Sequence, residues 1–210
     1  MCARLANMGI TDKNVLDAMT DVPRHWFIDS LHKSLAYEDV AISIDCEQTI
    51  SRPSTVAIQS QALEVKKDMK VLEVGTGSGY QTAILCAMGA RVFTIERQHG
   101  LFIKTKALLD ALHYKAKCFL GDGYKGLTEV DYSPYDRIII TCGAPYVPEA
   151  LMKQLKVGGI MVIPVGEQQQ EMLSITKNGE SPEEWIQKPY GNFKFVPMLD
   201  GRQFQHRRRP

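Results

Sequence analysis

Between residues 70 and 165 short apolar runs alternate with longer mixed stretches. The runs predict strands at 70–74, 91–96, 116–120, 136–141 and 160–165. The stretches between them predict helices at 80–88, 99–113 and 148–156, with Gly89 and Gly158 as C-terminal stops. Such strict alternation predicts an α/β fold: a doubly wound, mostly parallel sheet with helices on both faces. Arg137-Ile-Ile-Ile-Thr141 is apolar at consecutive positions, as a central parallel strand covered on both sides requires. Met172–Lys177 and Phe193–Pro197 also read as strands. Lacking an intervening helix, they predict an antiparallel addition at the C-terminal end of the sheet.

The first 64 residues are less regular. After Thr11 or Asp12 as N-cap, Val15, Leu16 and Met19 mark a short amphipathic helix ended by Pro23, and the segment from Arg24 to Glu47 is irregular. Ser51-Arg52-Pro53 predicts a helix start, with Ser51 as N-cap and the helix running to about Glu64. A length of 210 residues suits one domain, divided into an N-terminal segment 1–64, a core 65–178 and a C-terminal strand and tail 179–210.

The most informative stretch is Val71-Leu-Glu-Val-Gly-Thr-Gly-Ser-Gly-Tyr80, where a strand empties into glycines at 75, 77 and 79. Glycine there lets the backbone pass close to a ligand just before a helix starts, which is the construction of a nucleotide-binding turn. Both nicotinamide and S-adenosylmethionine enzymes use it. The dinucleotide fingerprint wants Gly or Ala at its sixth position, where this chain has Tyr80, which favours the methyl donor. Glu96, at the end of the next strand, stands where an acid accepts both ribose hydroxyls, and nicotinamide binders place one there too. Glu73, inside an apolar strand, must either meet N–H groups of the turn or face the ligand's ammonium, because an unpaired buried carboxylate is too costly. Gly121-Asp122-Gly123 follows the third strand at the same sheet edge. Asp122 is placed to accept from an adenine amino group and Gly123 to offer its N–H to a ring nitrogen; the plain alternative is a turn.

Charge alters this picture little. With 25 Lys and Arg against 24 Asp and Glu, no overall field draws the chain to nucleic acid or membrane. The basic tail at 206–209 reads as a frayed terminus. Five cysteines without a C-x-x-C pair and five histidines without ligand spacing suggest neither a disulfide framework nor a metal site. No signal-like start and no apolar run near roughly 18 residues appears, so a cytoplasmic protein is expected.

For the methyl acceptor, absences matter. Nucleobase amine methylation often uses an Asn/Asp-Pro-Pro-aromatic loop after the fourth strand, where this chain has Thr141-Cys-Gly-Ala-Pro145. No evident metal ligands, Lys or His supply a base. An acceptor that is already an anion needs none, so alignment and water exclusion suffice for a carboxylate. A methyltransferase acting on a small molecule or RNA, a nicotinamide-binding protein and a catalytically dead binding module are the competing readings.

Over nearly its whole length the chain resembles the protein-L-isoaspartate O-methyltransferases. The resemblance rests on Val22-Pro-Arg24 with Phe27, Ala36-Tyr-Glu-Asp39, Gln48-Thr-Ile-Ser51 with Pro53, Val71 to Leu85, Ile95-Glu-Arg97, Gly121-Asp-Gly123, Pro134-Tyr-Asp136, Pro148, Gln154-Leu155, Gly158-Gly159, Ile163-Pro-Val-Gly166 and Phe195-Val-Pro197. It implies a class I methyltransferase that moves a methyl from S-adenosyl-L-methionine to the free α-carboxylate of L-isoaspartyl residues, and more weakly D-aspartyl residues, in damaged proteins and peptides. The ester then closes to a succinimide whose hydrolysis restores some normal linkage. It further implies Ser51 as the active-site serine; Glu73, Gly75, Thr76, Gly77, Ser78, Gly79, Glu96, Arg97, Asp122 and Gly123 around the cofactor; and Thr49, Ile50, Ser51, Val196 and Pro197 around the substrate. No metal is implied, and a monomer is expected. Ser51 and the adjoining helix-start N–H groups would hold the carboxylate. The chain departs from the family pattern at Arg52, where Gln is common, and at Asp45 and Glu47, where small or neutral residues are common.

Overall fold

The computed structural model describes residues 1–128 and 132–204; the basic tail at 206–209 lies outside them. Two short helices open the chain, α1 (Cys2–Asn7) and α2 (Lys13–Asp21), and Asp12 caps α2 by accepting from the Asn14 and Val15 N–H groups. Residues 24–47 contain three 3₁₀ turns and the first strand of a small ribbon, β1 (Ile42–Ser43) and β2 (Thr49–Ile50). Then come α3 (Pro53–Leu63), β3 (Lys70–Val74), α4 (Tyr80–Ala87), β4 (Arg91–Glu96), α5 (His99–Ala111), β5 (Lys117–Leu120), β6 (Tyr135–Ile140) and α6 (Glu149–Gln154). Three strands finish the fold: β7 (Leu155–Val165), β8 (Gln170–Lys177) and β9 (Trp185–Phe193).

The main sheet has the order β5-β4-β3-β6-β7-β8-β9. Its first five strands are parallel, and β8 and β9 each add antiparallel. The order reverses between β3 and β6, so the loops after β3, β4, β5 and β6 gather at one edge. Continuous apolar runs are explained by burial on both faces. Val71, Val92 and Ile139 join a core formed with α1 to α4. Leu72, Phe93 and Ile138, their immediate neighbours, join a second core with Leu151 and Met152 of α6, Leu127 and Met198.

Three sequence expectations are corrected. The helix expected to end at Gly158 stops at Gln154, and Gly158 (φ +81°) lies inside β7. Partner pairs run from Tyr135↔Leu155 to Arg137↔Ile160, so β7 advances five residues while β6 advances two, and Gly158 belongs to that bulge. Phe193–Pro197 is not a ladder strand: β9 ends at Phe193, and Pro197 makes only an isolated bridge to Gly143. Ser51 does not cap α3. Arg52 is the N-cap residue and no side chain of its own caps the helix. Instead Asp39, far upstream, accepts from the Ser54 N–H at 2.8 Å.

Candidate active site

The turn after β3 is built by local sterics. Gly75 has φ +97°, and a Cβ on it would lie 2.4 Å from the Thr141 hydroxyl. That hydroxyl sits 2.6 Å from the Gly75 carbonyl and 3.0 Å from that of Val74, which pins the turn to the end of β6. Gly79, at φ +87°, is the N-cap of α4. Thr76 is anchored by a hydroxyl contact of 2.6 Å to Thr94 of β4. Ser78 lies beyond, its hydroxyl 3.4 Å from the Tyr80 N–H.

Glu96 is buried at the end of β4, one oxygen accepting from Gly77 N–H at 2.9 Å and the other from Gln98 N–H at 2.8 Å. Burial raises its pKa, and these backbone bonds oppose the rise. Each oxygen keeps a lone pair for a further donor. Glu96 lines one cavity with Gly75, Gly77, Arg97, Gly123, Val196 and Pro197. The Arg97 guanidinium turns to the C-terminal segment, donating to Gln203 at 3.1 Å and to the Asp200 and Gly201 carbonyls at 3.3 Å. Asp122 accepts from the Tyr124 N–H at 3.0 Å and lines an adjoining surface cleft rather than this cavity.

Glu73 satisfies neither alternative drawn from its sequence position. It is fully buried, accepts from the Thr82 hydroxyl of α4 at 2.5 Å, and lines none of the cavities of the sheet edge. Desolvation pushes its carboxyl up to about 7, against the hydroxyls of Thr82 and Thr94. It ties β3 to α4 beneath the glycine turn. The cost of burying it is lowered by holding a proton.

Ser51 follows β2 and is half-buried. It lines an open groove with Asp39, Arg52, Thr141, Lys194 and Val196, and an inner cavity with Thr49, Ile50, Gly75, Thr76, Gly77 and Ser78. Thr49 and Thr141 line the groove and both cavities, so the three spaces meet there, between the glycine turn and Ser51. Val196 is held by its carbonyl accepting from Gly143 N–H at 2.8 Å. Pro197 faces the Glu96 cavity rather than the groove.

Two of the expected helix-start positions offer no N–H to an anion. Pro53 has none, and that of Ser54 is taken by Asp39. Behind Ser51 stands a cation that sequence reasoning left without a role. Arg24 is fully buried, donates to the Ser51 carbonyl at 2.7 Å and lies 4.8 Å from the centroid of the Tyr80 ring. Its Nε and Nη1 have no hydrogen-bond partner. Burial lowers its pKa to about 10, so it is charged at neutral pH. Its place in the Val22-Pro-Arg24 piece was the available signal. Among the described residues no cluster of His, Cys, Asp and Glu could hold a metal.

The sheet order, glycine turn and acid at the next strand end define a methyltransferase fold. A solved protein-L-isoaspartate O-methyltransferase superposes with a TM-score of 0.82 at 28% identity, covering 93% of this chain and 64% of that one. A Plasmodium falciparum structure in complex with S-adenosyl-L-homocysteine, assigned to the same enzyme type, superposes with a TM-score of 0.79 at 24% identity, covering 94% of this chain and 96% of that one. The sequence model of the protein-L-isoaspartate(D-aspartate) O-methyltransferase (PCMT) family matches residues 1–203. The protein-L-isoaspartate O-methyltransferase of Flavobacterium psychrophilum is 53% identical over 197 residues, 93% of this chain and 91% of that protein. That of Christiangramia forsetii is 54% identical over 193 residues, 91% and 89%. The chain belongs to the protein-L-isoaspartate(D-aspartate) O-methyltransferase family.

Proposed function

We propose that this enzyme methylates the free α-carboxylate of L-isoaspartyl residues, and D-aspartyl residues more weakly, in damaged proteins and peptides. The observation that carries the reading is the placement of Ser51 in an open groove whose inner wall, Thr49 and Thr141, is shared with the cavity holding Gly75, Gly77 and Glu96. The residues present fit S-adenosyl-L-methionine, because Glu96 faces the cavity with lone pairs to spare for the two ribose hydroxyls. Asp122 and Gly123 would take the adenine, and the turn from Gly75 to Gly79 the methionine portion. When bound, that molecule supplies an electrophilic methyl group. A carboxylate is ionised at neutral pH, so no side chain need remove a proton from it.

The chain's own contribution is placement. Ser51 offers its hydroxyl to the carboxylate, and the buried charge of Arg24 fixes the Ser51 carbonyl from behind. Val196 lines both groove and cavity and Pro197 the cavity alone, so both set apolar surface beside the reacting groups. Thr49 lines both spaces as well, and Ile50 packs beneath it. Both sites lie within one chain, which supports action as a monomer in a single domain. Cys2, Cys86, Cys118 and Cys142 carry thiols without disulfides, which fits a reducing cytoplasm. Incubation with labelled S-adenosyl-L-methionine and paired peptides differing only in Asp versus isoAsp tests the reading. Label should enter the isoaspartyl peptide alone, and equal labelling of both would overturn it.

A further inference from the structure

We propose that Arg52 and Lys194 make the groove selective for isoaspartyl peptides with acidic residues beside the damaged linkage; this rests on the reading of Ser51 given above. The groove encloses about 570 Å³, room for several residues rather than the reacting carboxylate alone. Its charged lining consists of Asp39, Arg52 and Lys194. The acid is already matched, since Asp39 accepts from the Ser54 N–H at 2.8 Å and its charge acts on the buried Arg24. The cations are not. Both are exposed, and among the described residues neither forms an ion pair. Arg52 is steadied by its Nε donating to the Thr55 hydroxyl at 3.2 Å, which leaves its two terminal nitrogens for another acceptor.

Arg52 adjoins Ser51 at the start of α3, whereas Lys194 follows β9, so two distant segments bring positive charge to one groove. The whole chain carries a formal charge of only +1, so the attraction comes from this local pair of cations and not from an overall field. A peptide lying there with Asp or Glu next to its isoaspartyl residue would meet two cations that have no ion-pair partner among the described residues. Because the cations are solvated, each contact is modest and sensitive to salt.

The test compares kcat/KM for three peptides that share a central isoaspartyl-glycine and carry Glu, Ser or Lys on both flanks. At low ionic strength the wild-type order should be Glu over Ser over Lys, with about three- to tenfold between the extremes, narrowing toward unity near 0.5 M salt. In Arg52→Glu/Lys194→Glu the order should invert. The ratio is read within each protein, so a general loss of activity does not affect it. Lys194→Glu alone, at an exposed position after a strand, should shrink the ratio if the double variant does not fold. Equal kcat/KM for all three peptides in wild type, or an order unchanged by charge reversal, overturns the proposal. Failure to methylate even the Ser-flanked isoaspartyl peptide would instead overturn the reading of the groove itself.

Discussion

The two halves of the site are built by opposite means. Around Glu96 the functional side chain itself takes up backbone donors: an acid at one strand end accepts from the turn after the neighbouring strand and from the residue two places on. Around Ser51 other side chains hold the backbone instead. Asp39 supplies the partner for the start of α3, Arg24 holds the Ser51 carbonyl, and the opposite wall comes from residues 193–196. A pocket built on strand-end turns suits one invariant small molecule. A groove walled by separate segments can change its charge without disturbing the pocket, which is where Arg52 departs from the family pattern.

The largest effect should come from the residue that joins the halves. Arg24→Ala removes a fully buried side chain packed on Tyr80 and leaves the Ser51 carbonyl without its donor. Urea denaturation should show about 2–5 kcal/mol of lost stability, as for other large-to-small changes in a core. A loss below about 0.5 kcal/mol would mean that Arg24 is not the tie between β2 and α4.

Legibility followed the same division. The glycine turn, Glu96 and the Gly121-Asp122-Gly123 turn sit at predicted strand ends, so the periodic pattern placed them at one sheet edge. Arg24 and Asp39 were visible only as pieces of a resemblance, because both lie in the irregular segment before β2, where no strand or helix period places a side chain. The C-terminal errors have a physical cause too. Phe193 closes β9, and Phe195, which continues its alternation, lies beyond the ladder with its N–H donating to Gln170. The true edge strand β9 is mostly exposed and is interrupted by Pro189 and Gly191, so it lacks a regular apolar stripe. Gly158 mimicked a helix stop because a bulge and a helix end both favour positive φ.

Glu73 sharpens the contrast, since it serves the pocket from below without facing it. Its folded pKa of about 7 exceeds the ordinary 4.5. Stability should therefore be fullest below pH 4.5 and fall as the pH rises through about 7, by up to about 3 kcal/mol. Glu73→Gln removes the titration. The melting temperature of the variant relative to wild type should be higher at pH 8 than at pH 4.5, and an offset equal at both pH values would exclude Glu73 as the titrating group.

Crossed substitutions separate the halves directly. Glu96→Ala should weaken S-adenosyl-L-homocysteine binding by roughly ten- to a hundredfold, the loss of a charged acceptor worth about 1.5–3 kcal/mol. Ser51→Ala should leave that affinity unchanged and lower kcat/KM for an isoaspartyl peptide by a similar factor. Because Arg52 rather than Ser51 is the N-cap of α3, the serine variant should also keep its melting temperature. Titration calorimetry and initial rates on both proteins give the four values. Loss of cofactor affinity in Ser51→Ala would dissolve the division.

The smallest effect falls at the rim of the pocket. Asp122 already accepts from the Tyr124 N–H with one oxygen, so its second oxygen is the one available to an adenine amino group. Asp122→Asn retains the turn and one acceptor while losing charge assistance, about 1 kcal/mol or roughly fivefold in cofactor affinity, less than for Glu96→Ala. Discrimination should fall with it: an S-adenosyl-L-homocysteine analogue lacking the adenine amino group binds wild type more weakly than the parent compound, and the variant should narrow that gap. A gap of the same size in both proteins would show that Asp122 shapes only its own turn, leaving Gly123 and Glu96 to hold the nucleoside.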